Sequence, residues 1–215
     1  MSSVGAQTIH GAFEVLRVAD PGDAASLAGE VALMFRQRSD HMSSHVYVSD
    51  DGTAVVHCGE WTTDSPGSPT TNPSEDLLRT LSKEFGVQVV RNFVGTLLVG
   101  IDGAAAAEPP GVAVLATRHV KDAEAANALG ELLAQTGEWK QHIPGFVGAA
   151  AYLSADGREF LNYPRWVDAA AYQAYMADPR IAQGQHVIAT HEEAEPEFIR
   201  CHTVPGLMEG SRGDG

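Results

Sequence analysis

The sequence predicts an α+β fold in which one unit occurs twice in tandem. Three observations carry this. The segment Tyr47-Val48-Ser49-Asp50-Asp51-Gly52 returns as Tyr152-Leu153-Ser154-Ala155-Asp156-Gly157 at an offset of 105. That offset still holds at Trp61 and Trp166, and over positions 47–61 it yields five identities. Residues 24–31 resemble 125–132 at an offset of 101, and Val90-Arg91 matches Ile199-Arg200 at 109. The order is kept and the offset drifts smoothly, as a repeat of about 100 residues would leave it. This places the units at 1–101 and 111–205, with a linker at 102–110 and a tail at 206–215.

Each unit shows the same succession of elements. A β-branched, apolar run opens it, at 12–18 and again at 112–120, and reads as a strand. A helix follows, with Asp20 or Asp122 near its start as a cap. Leu27, Val31 and Met34 recur at helical spacing in the first unit, as do Leu129, Leu132 and Leu133 in the second. Asp51-Gly52 and Asp156-Gly157 then mark hairpin turns, because glycine tolerates the positive φ of a tight turn. A second helix is expected at 74–85 and at 168–177, and a closing strand at 87–99 and at 197–204. The order β-α-β-β-α-β is the ferredoxin-like split unit. The Pro-, Ser- and Thr-rich stretch 62–73 reads as a loop.

Composition narrows the function. Hydrophobic residues make up 44% of the 215 positions and charged residues 20%, which suits a chain with a true core. No apolar run approaches the roughly 18 residues that span a bilayer, and residues 1–10 show no basic patch followed by an apolar stretch. The expected location is the cytoplasm, with no membrane partner. The formal net charge is −14, and the three lysines (Lys83, Lys121, Lys140) are scattered, so no clustered cations await a phosphate backbone. No nucleic-acid partner is expected, and a neutral or weakly acidic small molecule fits better than a polyanion. Cys58 and Cys201 lack any paired spacing. Neither His41 with His45 nor His186 with His191 has a carboxylate at ligand spacing, so no metal is expected. Nucleophile-elbow, Walker and dinucleotide motifs are absent.

The strand after each hairpin turn holds the best lead. Side chains alternate along a strand, so Phe160, Asn162, Pro164 and Trp166 share one face, as do Val55, His57, Gly59 and Trp61. A face covered by helices should be apolar, yet Asn162 and His57 interrupt it at matching positions. Each is either a satisfied core residue or a site residue, since a buried polar group without partners costs several kcal/mol.

A resemblance enters on further residues. The second unit carries Ile143-Pro144-Gly145-Phe146-Val147, then Ser154-x-Asp156-Gly157, then Asn162-Tyr163-x-x-Trp166, and then an aromatic-rich helix from Tyr172 to Tyr175 that ends at Asp178-Pro179. It resembles the antibiotic biosynthesis monooxygenase domain over most of 111–205, and the first unit matches more weakly. The resemblance implies two tandem ferredoxin-like βαββαβ units forming an intrachain dimeric α+β barrel, able to dimerise again as a homodimer. It also implies that Asn162, Trp166 and Tyr172 are catalytic, because anthrone-oxidising members carry an Asn, a Trp four later and a Tyr six after that. The first unit keeps Trp61 but has His57 for the Asn and Gly67 where the Tyr would stand, so its pocket is expected to be degenerate. Substrate-binding side chains would be His57, Trp61, Phe160, Tyr175 and Met176.

The tandem length is similar to that of the ring-opening oxygenases of angucycline pathways. The expected activity is therefore use of O2 to oxidise, and to cleave, a ring of a polycyclic phenol or quinone, without metal. Reduced flavin (FADH2 or FMNH2) would be the cosubstrate, and a flavin reductase a partner. The alternatives are an anthrone-to-quinone monooxygenase that needs no cofactor, and a non-catalytic binder of a polyketide or of haem, with His57 as the axial ligand.

Overall fold

A computed structural model describes residues 7–36, 42–63 and 75–205. The stretch 64–73, with Gly67, the tail 206–215 and His41 lie outside the described residues. Among those described, eight strands and five α-helices form an α+β fold with antiparallel pairing. The chain forms two units, one comprising residues through Gly95 together with those from Cys201 onward, the other Thr96–Arg200.

In the first unit, β-branched and aromatic side chains form β1 (Thr8–Arg17), β2 (Ser43–Ser49) and β3 (Ala54–Thr63). The first strand starts four residues before the expected position 12, because Thr8 through Gly11 pair with Glu60 through Thr63. The helices are α1 (Ala24–Arg36) and α2 (Glu75–Phe85), and β4 (Gln88–Asp102) begins here. The strand order is β4-β1-β3-β2. Leu27, Ala28, Val31 and Phe35 recur at helical spacing and bury α1 against Leu16, Val46, Val48 and Val55. Asp20 does not cap α1 directly; its carboxylate accepts from Gly22 N–H and caps a short 3-10 turn that leads into the helix.

The second unit repeats this arrangement with β5 (Val112–His119), α3 (Ala123–Lys140), β6 (Phe146–Ser154), β7 (Glu159–Trp166), α4 (Ala169–Met176) and the part of β8 (Glu197–His202) before Cys201, in the strand order β8-β5-β7-β6. Asp122 caps α3 through Ala125 N–H at 2.9 Å. One helix was not expected from the sequence: α5 (Pro179–Ile188). Its start obeys simple rules, since Asp178 caps it through Arg180 N–H and Pro179 has no N–H to leave unpaired. The stretch expected to be a linker is bonded into this unit instead. Gly103 N–H and Ala105 N–H donate to Val147 and Phe146 carbonyls, and a Cβ on Gly103 would lie 1.9 Å from the Phe146 oxygen.

The two hairpin turns share one set of hydrogen bonds. Ser49 Oγ donates to Asp51, Thr53 N–H donates to the same carboxylate, and Ala54 N–H donates back to Ser49 Oγ. Ser154, Asp156, Arg158 and Glu159 repeat the pattern. Gly52 and Gly157 take φ of +70° and +72°, and no other residue type takes a positive φ among those described. No described helix is long and apolar enough to cross a membrane.

Candidate active site

The second unit contains a cleft between the helix-facing side of its sheet and the helices over it. Its floor is strand: Val114, Ala116 and Arg118 from β5, and Asn162, Pro164 and Trp166 from β7. Its walls come from α3 (Leu132, Leu133, Thr136, Trp139, Lys140), α4 (Tyr172, Tyr175, Met176) and α5 (Arg180, Ile181, Gly184, Gln185, Ile188). Measured at water centres, its volume is about 130 Å³. One water takes about 10–15 Å³ on that measure, so the cleft has room for on the order of ten waters, comparable to a flat tricyclic molecule.

The β7 residues reach the cleft for the reason the alternation predicts. Position 162 pairs with Ala116 and Ala151, and position 166 with Val112 and Phe146, all small or apolar neighbours. The result is a polar atom set in an apolar wall. Asn162 Oδ1 and Trp166 Nε1 are buried and have no hydrogen-bond partner among the described residues. Interiors normally pair such atoms, and leaving one unpaired costs about 1–3 kcal/mol. Around Trp166 the rings are dense: Tyr172 lies edge-on at 4.9 Å, Tyr175 at 5.1 Å, and Phe146 at 6.1 Å between centroids. Burial, helped by Asp178 and Tyr172, pushes the Tyr175 hydroxyl well above its ordinary range, so that it stays protonated.

Three cations line the cleft. Arg118 is paired with Glu192 and lies 5.6 Å from the Phe198 ring. Arg180 is held by two bonds to Asp178 and stacks 3.9 Å over Trp139. Lys140 donates to Thr136 Oγ1 at 2.8 Å. Burial pushes its ammonium down to about 8.

Of the residues singled out from sequence, the structure brings Asn162, Trp166, Tyr172, Tyr175 and Met176 together on this cleft. It places three others elsewhere. Phe160 belongs to the adjoining core with Val120, Ala126, Leu129 and Leu133. Trp61 and His57 lie in the first unit, where Trp61 stacks on His10 at 5.6 Å. His57 is fully buried; Glu14 lies 2.7 Å from Nδ1, Ser44 Oγ lies 3.0 Å from Nε2, and Phe35 covers the ring at 3.4 Å. With both nitrogens engaged and no exposure, His57 offers no face to a haem iron or to a substrate.

The contrast with Asn162 has a cause in the helix above. The offset that relates 24–31 to 125–132 sets Phe35 opposite Thr136. Phe35 fills the space over His57, whereas the small Thr136 leaves the space over Asn162 open. The α3 and α5 contributions were missed from sequence. Only the Asp178-Pro179 start could have announced α5; nothing in the local pattern distinguishes Lys140.

Residues 111–187 match the family model described as antibiotic biosynthesis monooxygenase. Tetracenomycin-F1 monooxygenase of Streptomyces glaucescens is 37% identical over 64 residues, which is 30% of this chain and 46% of that protein. The match thus spans about half the length of that curated relative. Among solved structures, an anthrone oxidase-like protein is similar at a TM-score of 0.61 and 17% identity, covering 94% of each chain. A ferredoxin-fold protein from Listeria monocytogenes, described as related to antibiotic biosynthesis monooxygenases, is similar at a TM-score of 0.58 and 10% identity, covering 94% of this chain and 99% of that one. By sequence, the stretch that supplies most of the cleft is therefore similar to the antibiotic biosynthesis monooxygenase domain, and by fold the chain resembles proteins of that kind.

Proposed function

We propose that the second unit is an oxygenase that uses O2 to oxidise a planar aromatic polyketide. One observation carries the reading: two buried polar atoms, Asn162 Oδ1 and Trp166 Nε1, lack partners among the described residues on a cleft lined mostly by rings and aliphatic side chains, with Arg118, Lys140 and Arg180 on its walls. The family model and the name of the Streptomyces relative support the same chemistry.

For an anthrone the balance is simple: anthrone plus O2 gives quinone plus water. The substrate loses a proton and becomes an enolate. It passes one electron to O2, and the radical and superoxide combine to a peroxide. The first proton returns to the distal peroxide oxygen, the remaining C–H proton leaves with that OH as water, and a carbonyl is left. Charge gathers on the substrate oxygen in the first step. There the Trp166 indole N–H and the Asn162 amide N–H can donate to it, while the unpaired Asn162 Oδ1, an acceptor, can take the O–H of a neighbouring substrate phenol. Tyr172, edge-on to Trp166, orients the ring or relays the proton.

A second form opens a ring of an angucycline-type phenol and uses reduced flavin from a flavin reductase. The repeated unit motivates it. In the same reading the two units are halves of an intrachain α+β barrel, and the first serves as the structural partner.

The test is incubation with 1,8-dihydroxyanthrone in air and under nitrogen, with and without reduced flavin, following O2 uptake and quinone absorbance. Quinone formation that needs O2 but not flavin is expected. Turnover under nitrogen, or binding without O2 uptake, would overturn the oxygenase reading.

A further inference from the structure

Carboxylates outnumber lysines and arginines in this chain by 28 to 14. Carboxylates are thus abundant enough to offer a cation in a cleft an acidic partner. Arg118 and Arg180, which line the same cleft, both have one: Glu192 and Asp178. Lys140 does not. Its bonding partner among the described residues is the neutral Thr136 hydroxyl, with the Trp139 ring 5.7 Å away. It stands on the last turn of α3, half-buried, on the wall of a cleft whose other walls are mostly apolar. An ammonium removed from water without a counter-charge is costly, and a bound anion would offset that cost.

Resting on the oxygenase reading of the same cleft, we infer that Lys140 selects aromatic ligands bearing an anionic oxygen, a carboxylate or a phenolate, on one edge. The apolar walls take the rings, and the ammonium takes the oxygen in a charge-assisted bond that low polarity strengthens. The burial that lowers the ammonium pKa supports this, since a ligand anion beside it would offset that burial and stabilise the charge. The long-range field of a chain at −14 disfavours anions, so the preference must come from a local contact.

The experiment compares two flat probes of equal ring size, anthracene-9-carboxylate and anthracene-9-methanol, by calorimetry on the full chain at pH 7. Wild type is expected to bind the carboxylate about tenfold tighter or more, as one hydrogen bond to a charged group provides. Lys140→Met removes that ratio while leaving the alcohol within about threefold, and Lys140→Arg keeps it. A third probe, 1,8-dihydroxyanthraquinone, reports a phenolate by a red-shifted band on binding that Lys140→Met abolishes. The carboxylate ratio assigns the first source and the red shift the second. Equal binding of the carboxylate and the alcohol together with no red shift, or a preference that survives Lys140→Met, overturns the role of Lys140 and leaves the oxygenase reading intact. Binding of none of the probes overturns both.

Discussion

At the scale of single residues, Asn162 and Trp166 differ from His57 in what lies above them. Removing the amide in Asn162→Ala is expected to lower kcat by about 10²- to 10³-fold, the size seen when one oxyanion donor is lost. Trp166→Phe keeps a six-membered ring but removes the N–H together with the rest of the five-membered ring, and about tenfold is expected. O2-uptake kinetics measure both. His57→Ala is expected to act on stability instead, because it breaks a contact to the fully buried Glu14. Breaking a buried pair costs about 3–5 kcal/mol, which appears as a lower Tm with kcat of the folded protein retained. A larger loss of kcat in His57→Ala than in Asn162→Ala would move the chemistry to the first unit. Lys140 gives a prediction of opposite sign. Its pKa is about 8 in the fold against 10.5 for the free side chain, so holding the charge costs stability below pH 8. That cost fades as pH rises from about 8 to 10.5. Lys140→Met should therefore raise the Tm of the ligand-free protein at pH 7 by about 2–4 °C per kcal/mol recovered, and by less at pH 10. Calorimetric scans at both pH values check it. Asn162 and Trp166 were legible because a period of two exposes a polar residue on an apolar face. Lys140 was not, since its meaning depends on which carboxylates fail to reach it, and only tertiary structure decides that.

At the scale of elements, the turns and the helix junctions carry the fold. Asp51 accepts from the Ser49 hydroxyl, the Thr53 N–H and the Thr53 hydroxyl, which together pull its carboxyl down to about 2. A depressed carboxyl stabilises above its unfolded pKa of 3.8, and the contribution is lost as pH falls towards 2. Asp51→Ala should lower the Tm at pH 6, and the gap to wild type should narrow between about pH 4 and 2. Gly145 offers a second test. It takes φ of +74°, and a Cβ there would lie 2.5 Å from Ala171 Cβ on α4. Gly86 also takes a positive φ, +63°, but faces open space. Gly86→Ala should cost only the left-handed penalty of about 1–2 kcal/mol. Gly145→Ala adds the clash, so its urea midpoint should fall further. The strands, the hairpins and four of the five helices were readable from periodicity and turn residues. The helix α5 was not, because Pro179 reads as a stop after α4 unless Asp178 is recognised as a new cap.

At the scale of the whole molecule, two units with the same strand order treat the same position differently. In one, Glu14, His57 and Ser44 form a polar contact set under the Phe35 ring; in the other, Ala116, Asn162 and Thr136 border a cleft. One bound aromatic per chain is therefore expected, and a titration that saturates at two would contradict the closure by Phe35. The repeated order was visible in the spaced identities around Asp51-Gly52 and Asp156-Gly157. The asymmetry was visible only as His57 in place of Asn162, and its cause, a phenylalanine opposite a threonine, required the helix to be seen over the sheet.

The atoms on Asn162 and Trp166 that lack partners among the described residues have a further consequence. An interior that is completed only when a guest arrives ties the endurance of the chain to the supply of that guest. Occupied chains open less often, and proteases degrade the opened form. Cellular abundance would then follow metabolite flow without any dedicated regulator.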